Sequence, residues 1–252
     1  CDWSSDVCSS DLNRNLYDSD ITTWSPQGRL HQLEYAMESI NQGSACVGIR
    51  SKTHAVVVGL MKAPNELASY HKKLAKIDDH CGVAFSGLHA DGRALCKFMR
   101  EECMTHRFRF GSSLPLSRLS MKVANRAQKQ TQWIGGRPLG VGLLIIGTDS
   151  NGAHLLEATP TGNAFLYEAQ ALGARSQSAK TYLERVVGED GTGFHDMNAE
   201  QLMHHALMAL KETSSEKKLT SENTACALLG LGMPFKELNG EEKQVFLDAL
   251  EQ

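Results

Sequence analysis

The sequence predicts an α+β fold, a four-layer αββα sandwich with one extra helix ahead of its first strand. Two observations carry this. Strands come in runs separated by pairs of helices, which excludes an alternating βαβαβ chain and suits two antiparallel sheets packed face to face, with a helix pair outside each. The unbroken run Val141-Gly142-Leu143-Leu144-Ile145-Ile146 suits a strand buried on both faces.

Each element has its own signal. Ser25-Pro26-Gln27-Gly28 fits a type I turn, with Pro in the second position and Gly in the fourth. Residues 28–40 follow as an amphipathic helix in which Leu30, Leu33, Met37 and Ile40 share a stripe and Gln32, Glu34 and Glu38 point away. Such a stripe outside the sheets would face solvent in a lone chain and so predicts an interface. Residues 45–50 and 54–59 read as two strands around the polar turn Ser51-Lys52-Thr53, and Cys81, Val83 and Phe85 alternate in a third that ends at Ser86-Gly87. Leu88, Gly92, Leu95, Met99 and Cys103 share one helical face. Pro115 opens a second helix with the stripe Leu116, Leu119, Val123 and Ala127. After the run at 140–147, the turns at 149–152 and 159–162 punctuate a meander of two more strands. Helices near 174–187 and 199–212, a strand at 224–231 and a last helix near 241–250 complete the order.

Composition sets the class. The chain has 252 residues, 41% of them hydrophobic, and a net charge of -3. No segment approaches the roughly 20 apolar residues that a membrane helix requires. The basic pairs Lys72-Lys73 and Lys217-Lys218 are isolated, which argues against a nucleic-acid surface. Residues 1–12 carry no periodicity and read as an adaptor-derived artefact, leaving 13–252 as a single intracellular domain. Cys46, Cys81, Cys96, Cys103 and Cys226 then lie in apolar elements with no CxxC pair, as reduced thiols do.

The run from Tyr17 to Ile40 resembles the N-terminal signature of proteasome alpha subunits. Further blocks match in the same order: 43–48, Lys72-Lys-Leu-Ala-Lys-Ile-Asp78, 85–93, 137–142 and 173–184. The segments 24–32 and 174–182 look most like the eukaryotic alpha type-1 branch, which takes the sixth ring position. The resemblance implies a non-catalytic, structural and gating subunit of the outer alpha ring of the 20S core. Its partners would be other alpha subunits in a hetero-heptamer, beta subunits and the C-termini of a regulatory particle or activator. It implies ubiquitin- and ATP-dependent degradation in cytoplasm and nucleus, no cofactor, no metal, and no nucleic-acid or membrane partner.

Site residues follow from the same resemblance. Residues 13–27 would form the gate tail and turn, with Tyr17, Asp18, Pro26 and Tyr35 as the cluster that fixes the tail in its open position. Lys73, Gly43 and Gly87 would line the pocket that receives an activator's carboxylate, the glycines letting a partner backbone come close. The bland reading makes Lys73 one of three lysines, with Lys72 and Lys76, on a solvated segment. Ser19 stands where many relatives carry Arg, and Leu139 where Tyr is common.

An active N-terminal-nucleophile peptidase maturing at Ser44 is the alternative. Such enzymes need a free amine as base beside the hydroxyl. Ser44 follows 43 residues here, so its nitrogen is a peptide amide, and Gly59, Leu60 and Met61 fill the region of the acidic partner, although Lys73 aligns with the catalytic lysine. Other constellations are weaker. His204 and His205 point about 100° apart on a helix and cannot share a metal. Asp78-Asp79-His80 reads as a solvated turn, Ser86 as a strand end, and 214–218 as a polar loop.

Overall fold

A computed structural model describes residues 17–63, 67–133, 135–190, 193–214 and 219–250. Residues 1–16, and so the leader and the first part of the tail, lie outside the described residues, as do 215–218 of the polar loop. The elements run α1 (His31–Gln42), β1 (Cys46–Arg50), β2 (His54–Leu60), β3 (Leu74–Asp78), β4 (Cys81–Gly87), α2 (His89–Phe110), α3 (Leu116–Thr131), β5 (Val141–Asp149), β6 (Gly152–Ala158), β7 (Ala164–Tyr167), β8 (Ala169–Leu172), α4 (Ser176–Asp190), α5 (Ala199–Thr213), β9 (Thr224–Gly230), β10 (Met233–Glu237) and α6 (Gly240–Asp248). The strands form two five-stranded antiparallel sheets, β10-β9-β2-β1-β8 and β3-β4-β5-β6-β7.

Period-2 alternation explains why these strands make four layers. Along β1 and β2, Val47, Ile49, Val56 and Val58 face α4 and α5, packing on Leu183, Leu202, Met203, Ala206 and Leu210. Along β4 and β5, Val83, Phe85, Leu143 and Ile145 face the other way, onto Leu95, Met99, Leu119 and Val123 of α2 and α3. The intervening residues Cys46, Ala55, Val57, Ala84, Leu144 and Ile146 meet between the sheets with Leu155 and Leu229. The 141–146 run is buried throughout because both its faces are covered.

Three strands were not expected from the sequence. In β3 two of the five side chains are exposed or half-exposed polar groups, so alternation is masked. In β10 only Phe235 is buried, its ring covering Gly82 of β4. β8 follows β7 with Glu168 alone between them, yet the two strands belong to opposite sheets. At that corner the Arg50 amide donates to the Glu168 carbonyl at 2.8 Å. Its guanidinium donates to the carbonyls of Tyr167 at 3.0 Å and Ala153 at 3.5 Å.

Helix α1 differs from the expectation in one respect. Its stripe does not wait wholly for a neighbour: Ile40 is 3% exposed inside the inter-sheet core, and Met37 packs against the same cluster. The Ser39 hydroxyl also reaches the Gly140 carbonyl at 3.0 Å, fixing the helix over the start of β5. Leu30 and Leu33 remain half-buried.

Candidate functional site

The segment preceding α1 is held by the helix itself. The turn forms as expected, with the Gly28 amide donating to the Ser25 carbonyl at 2.9 Å and Gly28 at φ 74°. The Ser25 hydroxyl accepts the Arg29 amide at 3.0 Å, which closes the loop into the helix. Further upstream, the Tyr35 hydroxyl donates to the Asp18 carboxylate at 3.3 Å, and the Gln32 amide donates to the Asp18 carbonyl. Gln32 and Tyr35 are three residues apart and share a helical face, so together they grip one residue. Ile21 is buried as well. Residues 17–23 are therefore anchored within the chain through Asp18 and Ile21. Of the proposed cluster, Asp18 and Tyr35 meet. Tyr17 is half-buried nearby in sequence, and Pro26 is exposed on the turn.

A second constellation lies where α1 ends. Lys73 is 1% exposed, among the largest fully buried side chains of the protein. Its Nζ donates to the carbonyls of Ser44 at 2.9 Å and Phe85 at 3.0 Å. The Ser86 hydroxyl, also buried, lies 3.0 Å from the Ile40 carbonyl and 3.1 Å from that of Ser44. Gly43 and Gly87 meet at this point. A Cβ on Gly43 would stand 2.3 Å from Ser86 Oγ and 2.4 Å from the Gly87 nitrogen. One on Gly87, at φ 108°, would stand 2.3 Å from the Gly140 carbonyl.

Three expectations change here. Lys73 is not part of a solvated segment, although Lys72 and Lys76 are exposed. Its ammonium is enclosed and bonded to two carbonyls of the same chain. The space left by the two glycines is filled by this chain's own backbone. Ser86 is more than a strand end, because it ties β4 to the end of α1.

The same geometry speaks to catalysis. Ser44 nitrogen is bonded to Gly43, and the lysine reaches the Ser44 carbonyl. No carboxylate pairs with Lys73 among the described residues, and Gly59 occupies the space beneath it, where a Cβ would lie 3.3 Å from Lys73 Cβ. Burial pushes the nearby Cys46 thiol up, against the opposing pull of the Lys73 charge. Burial likewise pushes His89 down, with Lys73 and His71 adding to the effect.

Sequence reasoning missed two polar groupings. Asp91, in the first turn of α2, takes both guanidinium nitrogens of Arg137 at 2.6 and 2.8 Å and the Gly140 amide at 2.9 Å. The Arg137 hydrogen bonds hold the Asp91 carboxyl below the ordinary carboxylate range. The partners are 46 residues apart, so only the fold brings them together. An open cleft of about 600 Å³ between β3 and α2 is lined by Lys72, Lys76, Arg93 and Arg100, with His71 and His89. Asp78 and His80, expected to be solvated, are 14% and 12% exposed in their side chains, whereas Asp79 is exposed. His204 and His205 stand with rings near perpendicular, and His205 Nδ1 lies 3.1 Å from the Tyr182 hydroxyl.

Comparison with known proteins agrees with this architecture. The model of the proteasome subunit family matches residues 40–229, and that of the N-terminal signature of A-type proteasome subunits matches residues 17–38. The chain is 47% identical to the alpha type-1 proteasome subunit of Dictyostelium discoideum, over 95% of this chain and 96% of that one. It is 44% identical to the alpha type-1 proteasome subunit of Caenorhabditis elegans, over 93% and 89%. Against the alpha type-6 proteasome subunit of Saccharomyces cerevisiae it is 46% identical, over 90% and 97%. With the two-sheet sandwich, the signature helix and these relatives all in agreement, the chain belongs to the proteasome subunit family, among the alpha-type subunits of the eukaryotic 20S core.

Proposed function

We propose that this subunit is non-catalytic, that it builds the outer ring and that it controls passage through it. The observation that carries the reading is the end of α1. The helix runs directly into Gly43-Ser44, so the position a nucleophile would need is locked inside the chain. Lys73, which would tune such a nucleophile, is used to hold backbone instead. An N-terminal nucleophile requires a free amine. Cutting before Ser44 would remove Ile40 from the core and strip the Ser86 hydroxyl of its Ile40 carbonyl partner.

Gating is the second part of the proposal. Asp18, gripped by Gln32 and Tyr35, sets where the chain leaves α1, and that exit point directs everything N-terminal to it. Leu30 and Leu33, not absorbed by this chain's core, are the apolar contacts offered to neighbouring alpha subunits, while beta subunits complete the particle. Docking of activator C-termini beside this chain belongs to the same reading. Lys73 would act there by holding the Gly43–Gly87 seam in place. The particle would serve ubiquitin- and ATP-dependent degradation in cytoplasm and nucleus.

The test is a threonine-reactive covalent peptidase probe applied to assembled core particles, followed by mass spectrometry of each subunit. No label on this chain, with beta subunits labelled in the same sample, supports the reading. Label on Ser44 overturns it in favour of a peptidase that matures there.

A further inference from the structure

At the start of β4, three metal-ligand side chains come together from two elements and a turn. One ring nitrogen of His80, the Sγ of Cys81 and the Sγ of Cys103 all lie within 4.8 Å of one another. His80 ends the β3–β4 turn, Cys81 opens β4, and Cys103 projects from α2, so the group exists only in the folded chain. Both thiols are buried.

The state of His80 is what makes this group more than a packing contact. Its Nε2 lies 2.8 Å from the Leu114 carbonyl, which can only accept, so Nε2 carries a proton. Nδ1 is buried and has no hydrogen-bond partner among the described residues. Asp78 Oδ2 stands 3.4 Å from it, and a carboxylate is an acceptor as well. Two lone pairs facing each other with nothing between them are unfavourable unless a cation, a proton or a metal ion, joins them. The two thiols beside the pair favour the metal. A metal-bound histidine has this arrangement, donating its other N–H to a backbone carbonyl that fixes tautomer and ring orientation.

We propose that His80 Nδ1, Cys81 Sγ and Cys103 Sγ form a binding site for zinc(II), with the Asp78 carboxylate supplying the fourth position. Zinc holds thiolates at about 2.3 Å and imidazole or carboxylate at about 2.0–2.2 Å, so tetrahedral ligand atoms stand roughly 3.3–3.8 Å apart. The His80–Asp78 separation of 3.4 Å already fits, and on binding the two thiols, which lie within 4.8 Å of the His80 nitrogen and of each other, and the Asp78 carboxylate would draw together. Charge also balances. Binding releases two thiol protons to solvent, and two thiolates, one carboxylate and Zn²⁺ leave one negative charge. Arg107, whose Nη2 holds Asp78 Oδ1 at 2.6 Å, cancels it. The mixed nitrogen and sulfur donor set suits zinc and disfavours magnesium or calcium, which take oxygen.

The full chain, reduced and freed of metal by chelation, would be titrated with Co²⁺ and then with Zn²⁺ in competition. The expected result is a single Co²⁺ per chain, with tetrahedral d–d bands and thiolate-to-cobalt charge transfer, displaced by Zn²⁺. Cys103→Ser should weaken Zn²⁺ binding by more than about 100-fold, beyond the 10–100-fold that loss of an outer-shell partner causes. His80→Gln is the variant that guards against misfolding, since its amide can still donate to the Leu114 carbonyl while lacking the ligating nitrogen. It should keep the native circular dichroism and lose the bands. Absence of the bands in the wild-type chain overturns the assignment. So does their persistence in both variants, or their loss on replacing Cys46, Cys96 or Cys226.

Discussion

Lys73→Ala is the sharpest test of the backbone-holding role given to that residue. The substitution removes two charge-assisted hydrogen bonds, each worth about 1.5–3 kcal/mol. It also removes about three buried methylenes at roughly 0.8 kcal/mol apiece. Against this, the burial of an ammonium costs several kcal/mol, which the variant no longer carries. It also avoids up to about 2 kcal/mol of side-chain ordering. The carbonyl of Ser44 keeps the Ser86 hydroxyl as a donor after the change, and that of Phe85 keeps the weak Cys46 thiol at 3.4 Å. The net loss should be about 3 kcal/mol. For a chain of this size that is a fall of about 6–12 °C in Tm. Lys72 and Lys76 are exposed, so their alanine variants should stay within about 1 kcal/mol of wild type. Lys73→Met keeps the apolar stem and should recover roughly half of the loss, separating packing from charge. Thermal and urea unfolding of the full-length chain, with far-ultraviolet circular dichroism as the signal, provides the comparison. If Lys73→Ala and Lys72→Ala unfold at the same midpoint, the two carbonyl bonds contribute nothing and the reasoning fails.

The other contacts carry their own tests. Ser44→Ala should leave all peptidase activities of an assembled particle unchanged; a lost activity in a correctly assembled mutant would contradict the non-catalytic reading. Asp18→Ala and Tyr35→Phe should both alter basal peptide turnover by loosening the same anchor, and the double variant should do no more than the stronger single one, because residues sharing one contact are not additive. Leu33→Asp should reduce incorporation into 20S particles, read by native gel, without lowering the Tm of the chain; normal incorporation would remove Leu33 from the ring contact. Asp91→Asn should destabilise at neutral pH, since the folded carboxyl is held below its ordinary value of 3.8 by Arg137. That contribution is present above the unfolded-state pKa and is lost as pH falls through the lower folded-state value, so wild type and variant should converge in acid.

Much of the sandwich is legible in the sequence because its central strands alternate between two cores, as Leu143, Leu144, Ile145 and Ile146 do. The edge strand β10 is not, since burial on one face leaves it a single informative residue, Phe235. The end of α1 shows the same limit in the site. The residues Gly43, Lys73 and Gly87 can be picked out as a group by family resemblance, but their physical role cannot. Nothing in the order of residues says that a lysine between Lys72 and Leu74 turns inward, or that it finds carbonyls 29 and 12 residues away. The His80–Cys103 proximity is hidden for the same reason, because it depends on how α2 crosses β4.

The corner at Arg50 has a mechanical consequence. With one residue between β7 and β8, a slip of β8 along β1 would have to drag β7 along β6 by the same step. A one-residue shift reverses which side chains face inward, so the penalty would be met in both sheets at once. Arg50 adds a clasp across the same edge, joining its own strand to carbonyls of the opposite sheet. The opposite edge, where β3 and β10 lie, is closed as well: the Phe235 amide of β10 donates to the Asp79 carbonyl of the β3–β4 turn at 2.7 Å, and the Phe235 ring covers Gly82 of β4. The two sheets are thus tied along both edges, like a book held by a spine and a clasp.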